Sequence, residues 1–468
     1  MDPTFIAILA IVLCLTFILI EMPVGLAVGL AGTIGILLLS GTNTASRTLG
    51  SSPFSASAKY ALFAVPTYVL LGCLISNAGI GTQIYRVVNK AVHRLPGGLA
   101  ATAVLATSIF SGISGSSAAD VATFGRISVT EMARNGYDRA YAAAVVAAAG
   151  TFAVLIPPSI TLVLYAIIAQ VSVGAMILAG VVPGILSGLI LAGYVVGRAS
   201  FGKNRSQAVG ARTLVAAGSV STAEPVVVPP HVPVGEDETY QGAGKSRTSD
   251  LLAIGSAGVL FLTVVGGLYS GVFTATEAGA VGAFVAFLIA LFVARGGKIS
   301  LIGLVRESLT ETAEITSMIF LLLVGGSIFS FALALSGMPT EISEWAGGLA
   351  VPPLVVIAVI LVLLIPLGAF LDGLSVLLLT VPVIAPIATE LGFDGIWFGI
   401  LVLKVVEVGL ITPPVGINAF IISGITKTPV ERVYRALVPF VLLDLVVTAL
   451  FFAFPEIVLW LPRVAGQL

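Results

Sequence analysis

The sequence predicts an all-α polytopic membrane protein made of two inverted repeats, each with a re-entrant helical hairpin and a transmembrane helix broken at a Pro-Pro pair. Three observations predict it. Of 468 residues, 58% are hydrophobic and only 10% charged, with a mean hydropathy of +1.12, whereas soluble domains carry about 25% charged residues. A set of landmarks recurs at a constant offset. The basic residues change sides between the two copies.

Apolar runs near the ~20 residues a spanning helix needs occur at 4–20, 24–39, 173–196, 278–293, 317–335 and 437–454. Ten-residue alternating segments of the barrel kind are absent, so the spans are helices. The first run has neither a basic segment before it nor a small-residue cleavage site after it, and reads as a retained span. Cys14 and Cys73 fall in apolar segments, where small-residue packing is expected and a disulfide is not. A net charge of −1 gives no reason to expect a nucleic-acid partner.

"GYDRAYAAAVVAAAGTFAVLIPPSI" (136–160) aligns without a gap on "GFDGIWFGILVLKVVEVGLITPPVG" (392–416), and the same offset of 256 pairs Glu21 with Glu277. Several landmarks at one offset indicate a duplicated unit. Charge then separates parallel from inverted copies. Arg86, Lys90 and Arg94 in 78–96 face a counterpart with Glu341 and Glu344 and no base. Arg126, Arg134 and Arg139 face a 377–395 without Lys or Arg, while Lys427, Arg432 and Arg435 face an uncharged 171–179. Basic residues collect on the cytoplasmic side, so equivalent loops lie on opposite faces, as in many secondary transporters.

The resulting threading puts the N-terminus outside and 78–96 inside; Arg47, Lys59 and Arg463 run against it. The first repeat spans 1–200, with its hairpin at about 97–135 entering from inside and its broken helix at about 137–171. Polar, Pro/Gly/Ser-containing 201–250, opening on Lys203 and Arg205 just after Arg198, is expected to be a flexible cytoplasmic tether. The second repeat spans 251–468, with its hairpin at about 351–391 entering from outside and its broken helix at about 394–426.

Non-helical backbone at membrane depth is tolerated only where it is buried in protein or lines a cavity. Pro157 and Pro158 lack N–H groups, so the carbonyls of Ala153 and Val154 lose their helical donors; Pro413 and Pro414 do the same to Gly409 and Leu410. Such carbonyls are ligands for a hard monovalent cation. The half-helix restarting beyond each pair presents unpaired N–H groups and a positive dipole end, suited to a carboxylate. Thr412 before Pro413 fits a helix N-cap with proline at the first helical position.

The hairpin tips are the second irregular places. "SGISGSSAAD" (111–120) offers the hydroxyls of Ser114, Ser116 and Ser117, as site groups or as helix–helix glue. "GAFLDGLS" (368–375) offers Asp372, an ionisable group at depth, as a cation ligand or as a cap. Lys404 and Glu407 share one helix face and read most simply as a mutually neutralising pair, with a direct coupling role for Glu407 as the alternative.

The two broken-helix segments, with "SGSSAAD", "AFLDGLSVLLLTVPVIAPIATELGFD" and "VPTYVLLGCLISNAGI" (65–80), closely resemble the large membrane subunit of TRAP (tripartite ATP-independent periplasmic) transporters over nearly the whole chain except 201–250. The resemblance implies an elevator-type transporter of the bacterial inner membrane driven by a Na⁺ gradient. It implies a periplasmic substrate-binding protein, a small four-helix membrane subunit on a separate chain, and an organic-acid substrate such as a C4-dicarboxylate or sialic acid. Carried onto this chain, one Na⁺ site involves Ser114, Gly115, Ser117, Ala153, Ile156 and Pro157. The other involves Leu371, Asp372, Gly373, Gly409, Thr412 and Pro413. Substrate would lie between them, near Ser116, Ser117, Pro158, Ser159, Asp372, Pro414 and Gly416.

Three other readings share parts of this pattern. Gly112-Ile113-Ser114-Gly115 spells the GxSG of rhomboid-type intramembrane proteases, but that serine needs a base on a neighbouring span, and His93 and His231 lie in segments expected to be cytoplasmic. A channel would need a filter ring that the sequence does not show. A single-component Na⁺/anion symporter of similar architecture fits the same motifs and differs only in how substrate arrives. No GxxxxGK[ST] loop is present to make the chain an ATPase.

Overall fold

All regular elements among the described residues are helical, in a computed structural model that describes residues 2–201, 255–295, 300–338, 340–341 and 351–468. Among them, eight helices are long and apolar enough to cross a membrane. The expected tether at 201–250 lies outside the described residues, apart from the last residue of a helix.

Helix α1 (Pro3–Leu19) starts on an Asp2 cap, and α2 (Val24–Ser57) is kinked at Gly41 (φ +77°, ψ −177°), next to the expected end at 39, before a helical extension resumes. The extension is polar, but Thr44, Ser46, Thr48 and Ser51 each donate a hydroxyl to the carbonyl four residues back. Such back-bonding hides polar groups in a helix, which is why hydropathy alone does not show the stretch beyond Gly41. A 3₁₀ turn (Tyr60–Phe63) leads into α3 (Ala64–Asn77). The basic segment expected as a loop holds α4 (Ile80–Val92), which buries Ile80, Ile84, Tyr85 and Val88 along one face.

Next come α5 (Gly98–Ser114), α6 (Ser117–Arg134), α7 (Arg139–Gly150) with a 3₁₀ extension (Thr151–Val154), α8 (Ile160–Ala169) and α9 (Val173–Phe201). The second half has α10 (Gly255–Tyr269), α11 (Ala275–Ala294), α12 (Leu301–Ser336), α13 (Pro353–Phe370) and α14 (Gly373–Glu390). It ends with α15 (Gly395–Leu410), α16 (Ile417–Thr426), α17 (Val430–Ala453) and α18 (Glu456–Val464). Helix boundaries recur 256 residues apart: α6 and α14 match at both ends, and α7 and α15 at their starts. The cis prolyl bonds Pro157–Pro158 and Pro413–Pro414 keep the same interval.

Close approach through small residues links the halves, as is usual between membrane helices. Gly25, Gly29 and Gly32 of α2 meet Leu321, Gly325 and Phe329 of α12 in that order, so the two helices run in the same direction. Likewise Gly279 and Gly282 of α11 meet Tyr68 and Leu71 of α3. The hairpins exchange partners too: α6 packs on α16, and α14 on α8. Buried side chains of α7, α8 and α15 form much of the packed interior.

Candidate functional site

Each hairpin tip sits on the break of its own half. In the first, α5 ends at Gly115 in the left-handed region and Ser116 caps α6, accepting from the Ala119 N–H at 3.4 Å. A Cβ added at Gly112 would lie 2.8 Å from the Ile156 side chain and 3.1 Å from the Pro157 carbonyl; one at Gly115 would lie 3.5 Å from the Pro158 carbonyl. In the second, Gly368 faces Gly409, and the Gly416 N–H donates to the Ala369 carbonyl at 2.8 Å. Gly373 meets the side chain of Val406, two turns of chain before Thr412. Each tip thus touches the break of its own half, Gly112 and Gly115 beside Ile156, Pro157 and Pro158, and Gly368 and Ala369 beside Gly409 and Gly416.

The polar groups at these contacts are partly committed to the fold. Asp372 caps α14: it accepts from the N–H groups of Leu374 (3.1 Å) and Ser375 (3.2 Å) and from the Ser375 hydroxyl. The Val154 carbonyl, expected to be free, accepts from the hydroxyls of Ser159 and Thr161, each at 2.7 Å. The Gly409 carbonyl, also expected to be free, accepts from the Thr412 N–H at 3.0 Å. Hydroxyl and i+3 donors replace the proline-deleted bonds, and at Val154 the two hydroxyls take both lone pairs of the carbonyl.

Thr412 is not an N-cap. Its hydroxyl donates backwards to Val408 at 2.6 Å, closing α15, and α16 restarts only at Ile417 behind Gly416. Gly416 has φ +52°, and a Cβ there would lie 2.8 Å from the Thr412 carbonyl, so the position requires glycine. The proline at the first helical position does not occur, because the chain still has to turn at Val415 and Gly416. Tyr434 of α17 braces that turn by donating to the carbonyls of Pro414 (3.0 Å) and Val415.

Two residues that the sequence reading passed over join the site, and a third, Asp444, joins the Lys404–Glu407 pair away from it. Asn418 in the first turn of α16 bonds Ser117 through its Oδ1 (3.0 Å) and its amide nitrogen (2.7 Å), and reaches the Ala147 carbonyl at 3.3 Å. It ties the first hairpin tip to the second half-helix. Asp120 is fully buried and accepts from the hydroxyls of Ser111 and Ser114. Asp444 of α17 accepts from Lys404, so the expected Lys404–Glu407 pair (2.6 Å) is one edge of a three-residue cluster. A lone acid inside an apolar run was the available signal for Asp120 and Asp444; Asn418 follows the break as an ordinary helix residue and carried none.

With Ser114 engaged by Asp120, and His93 bonded to the carbonyls of Asn89 and Lys90 at the end of α4, the GxSG serine faces no histidine among the described residues. Two hairpins seated on two broken helices within one helical bundle define a polytopic membrane protein with the architecture of a secondary transporter. The fold agrees with a solved structure, the YdaH transporter of Alcanivorax borkumensis, at a TM-score of 0.60 and 16% identity, covering 96% of this chain and 98% of that one.

Residues 11–457 match the family model described as tripartite ATP-independent periplasmic transporter, DctM component, and the chain belongs to that family. It is 34% identical to a C4-dicarboxylate TRAP transporter large permease protein of Pseudomonas aeruginosa, over 94% of this chain and 95% of the relative. A sialic acid TRAP transporter large permease protein of Vibrio cholerae is 29% identical over 94% and 95%. An isethionate TRAP transporter permease protein of Oleidesulfovibrio alaskensis, at 28%, covers 92% of this chain, which spans 62% of that relative. The chain is thus a TRAP transporter large permease, a transport protein and not an enzyme.

Proposed function

We propose that this permease imports a small organic acid of the C4-dicarboxylate or sugar-acid class across the bacterial inner membrane, coupled to the Na⁺ gradient. The observation that carries this reading is the paired tip-on-break contact. Backbone carbonyls of the breaks, and the tip hydroxyls and carboxylate, gather where α8 and α16 begin. Carbonyl oxygens suit Na⁺, and half-helix N-termini suit a carboxylate. The substrate lies between the contacts, against Ser116, Ser117, Pro158, Ser159, Asp372, Pro414 and Gly416.

The inverted arrangement is supported by the helix directions: α2 parallels α12 while α3 parallels α11, the exchange that an antiparallel pair of two-helix units makes. In our reading the hairpins and broken helices move as one body against the long scaffold helices, an elevator step. A periplasmic binding protein delivers the substrate, and a small membrane subunit on a separate chain braces the scaffold. The N-terminus is periplasmic and 201–250 cytoplasmic. The relatives named for C4-dicarboxylates and sialic acid support the substrate class.

The test is uptake of labelled C4-dicarboxylates and sugar acids into proteoliposomes holding the permease and its small subunit. The reading expects uptake only with an inward Na⁺ gradient and added binding protein. Uptake that ignores Na⁺ would refute the coupling. Uptake at full rate without the binding protein would instead identify a single-component symporter.

A further inference from the structure

Away from the hairpin tips, α15, α17, α9 and the 3₁₀ turn after α7 enclose a polar cluster that the transport reading leaves unused. Lys404 of α15 is completely buried and donates to Glu407 at 2.6 Å and to Asp444, with its ammonium 5.9 Å from the centre of the Phe152 ring. Glu407 is also completely buried. Two carboxylates against one ammonium leave one net negative charge. An uncompensated charge in such a place is expensive, and Lys404 alone does not balance both partners.

The geometry shows where the balance is incomplete. Glu407 Oε1 and Asp444 Oδ2 are buried and have no hydrogen-bond partner among the described residues. Asp444 lines a small cavity together with Ser187 and Thr151, a space for about one water-sized guest. Ser187 is 3% exposed, and its hydroxyl likewise has no partner among the described residues. The Thr151 hydroxyl donates to the Ala148 carbonyl at 2.8 Å, which leaves its oxygen able to accept or to coordinate. The rest of the wall is apolar, so no further ionisable group from α7, α9 or the 3₁₀ turn lines this cavity.

We propose that the cavity beside Lys404, Glu407 and Asp444 is a separate binding site for one small monovalent cation, with Asp444 and Ser187 as its ligands. The guest supplies the third charge of a neutral cluster. Two sources share that chemistry, a sodium ion and a proton carried on the carboxylates. Either would bind at a place distinct from the hairpin tips, so the inference does not depend on the Na⁺ sites proposed there.

The test uses the full chain purified in detergent and reads its thermal unfolding in two series. One replaces choline chloride with NaCl at fixed pH; the other raises pH from mildly acidic to mildly alkaline at fixed Na⁺. The hairpin variant Asp372→Ala is expected to keep the response that belongs to this site: stabilisation by Na⁺ if the guest is sodium, loss of stability with rising pH if it is a proton. Asp444→Asn removes that response, because the amide leaves a neutral Lys404–Glu407 pair. Should this variant fail to fold, Glu407→Gln removes the same single charge and takes its place. Ser187→Ala keeps all three charges; it raises the half-saturating NaCl severalfold in the sodium case and leaves the pH curve in place in the proton case. Curves for the Asp444 or Glu407 variant that superimpose on wild type in both series would overturn the proposal. So would wild-type responses that Asp372→Ala alone abolishes.

Discussion

Replacing Gly409 with alanine tests whether the second hairpin is seated on its broken helix as tightly as the structure places it. The new Cβ would lie 2.6 Å from the Cα and carbonyl carbon of Gly368 and 3.0 Å from the Ala369 nitrogen. These are backbone atoms, with no side chain to swing aside. Carbon atoms settle at about 3.5–4.0 Å, so α13 and α15 must part by roughly 1 Å. That displacement strains or breaks the 2.8 Å bond from the Gly416 N–H to the Ala369 carbonyl. Overpacking of this kind costs about 1–3 kcal/mol and the lost bond about 0.5–1.5 kcal/mol. The gain of alanine over glycine in a helix, about 1 kcal/mol, leaves a net loss of about 1–3 kcal/mol. Gly424→Ala is the control: that glycine is helical and exposed, with nothing within 4 Å of its added Cβ, so the same propensity gain stands alone. Equilibrium unfolding in mixed micelles should separate the two variants by about 2–4 kcal/mol. A Gly409→Ala protein within about 0.5 kcal/mol of the control would show that the tip does not rest on the break.

Asn418→Ala deletes bonds to Ser117 and the Ala147 carbonyl; it should cost about 1–3 kcal/mol in the same unfolding assay, and Ser117→Ala on that background should add little. Lys404→Met leaves Glu407 and Asp444 facing each other without their cation; a loss of about 3–5 kcal/mol is expected, largely recovered when Glu407→Gln and Asp444→Asn are added. If the hairpin contacts bind Na⁺, NaCl at about 100-fold excess over its dissociation constant should stabilise wild type by about 2.7 kcal/mol relative to choline chloride. Asp372→Ala should reduce that gain, and a flat wild-type titration would contradict the proposed sites. Tyr434→Phe removes both hydroxyl contacts to the Pro414–Val415 turn while keeping the ring, so a fall in uptake with an unfolding loss of only about 1 kcal/mol would place its role in holding the break.

How far the sequence reached depended on whether a feature announced itself within one segment. The two breaks, the two hairpins and their tips were legible because prolines, glycines and isolated polar residues stand out against apolar runs. The helical stretch beyond Gly41 and the start of α12 were not, because hydropathy registers hydroxyls, and the charges of Arg306, Glu307, Glu311 and Glu314, as polar even where a helix runs through them. The polar interior was read least completely, and for one physical reason: its bonds join residues distant in the chain. Lys404 and Glu407 are three apart and were read as a pair, whereas Asp444 arrives on α17 and Asn418 meets Ser117 across 301 residues. The Thr412 cap failed differently. A threonine before a proline satisfies the local rule, but the rule assumes that the helix begins there. Val415 and Gly416 still have to turn the chain, so the hydroxyl found the carbonyl behind it instead. The residues that a local reading misplaces or overlooks are thus those whose partners lie across the break or in the other half. Contacts of that kind, and not the propensity of any one helix, hold the two irregular segments together inside an apolar bundle.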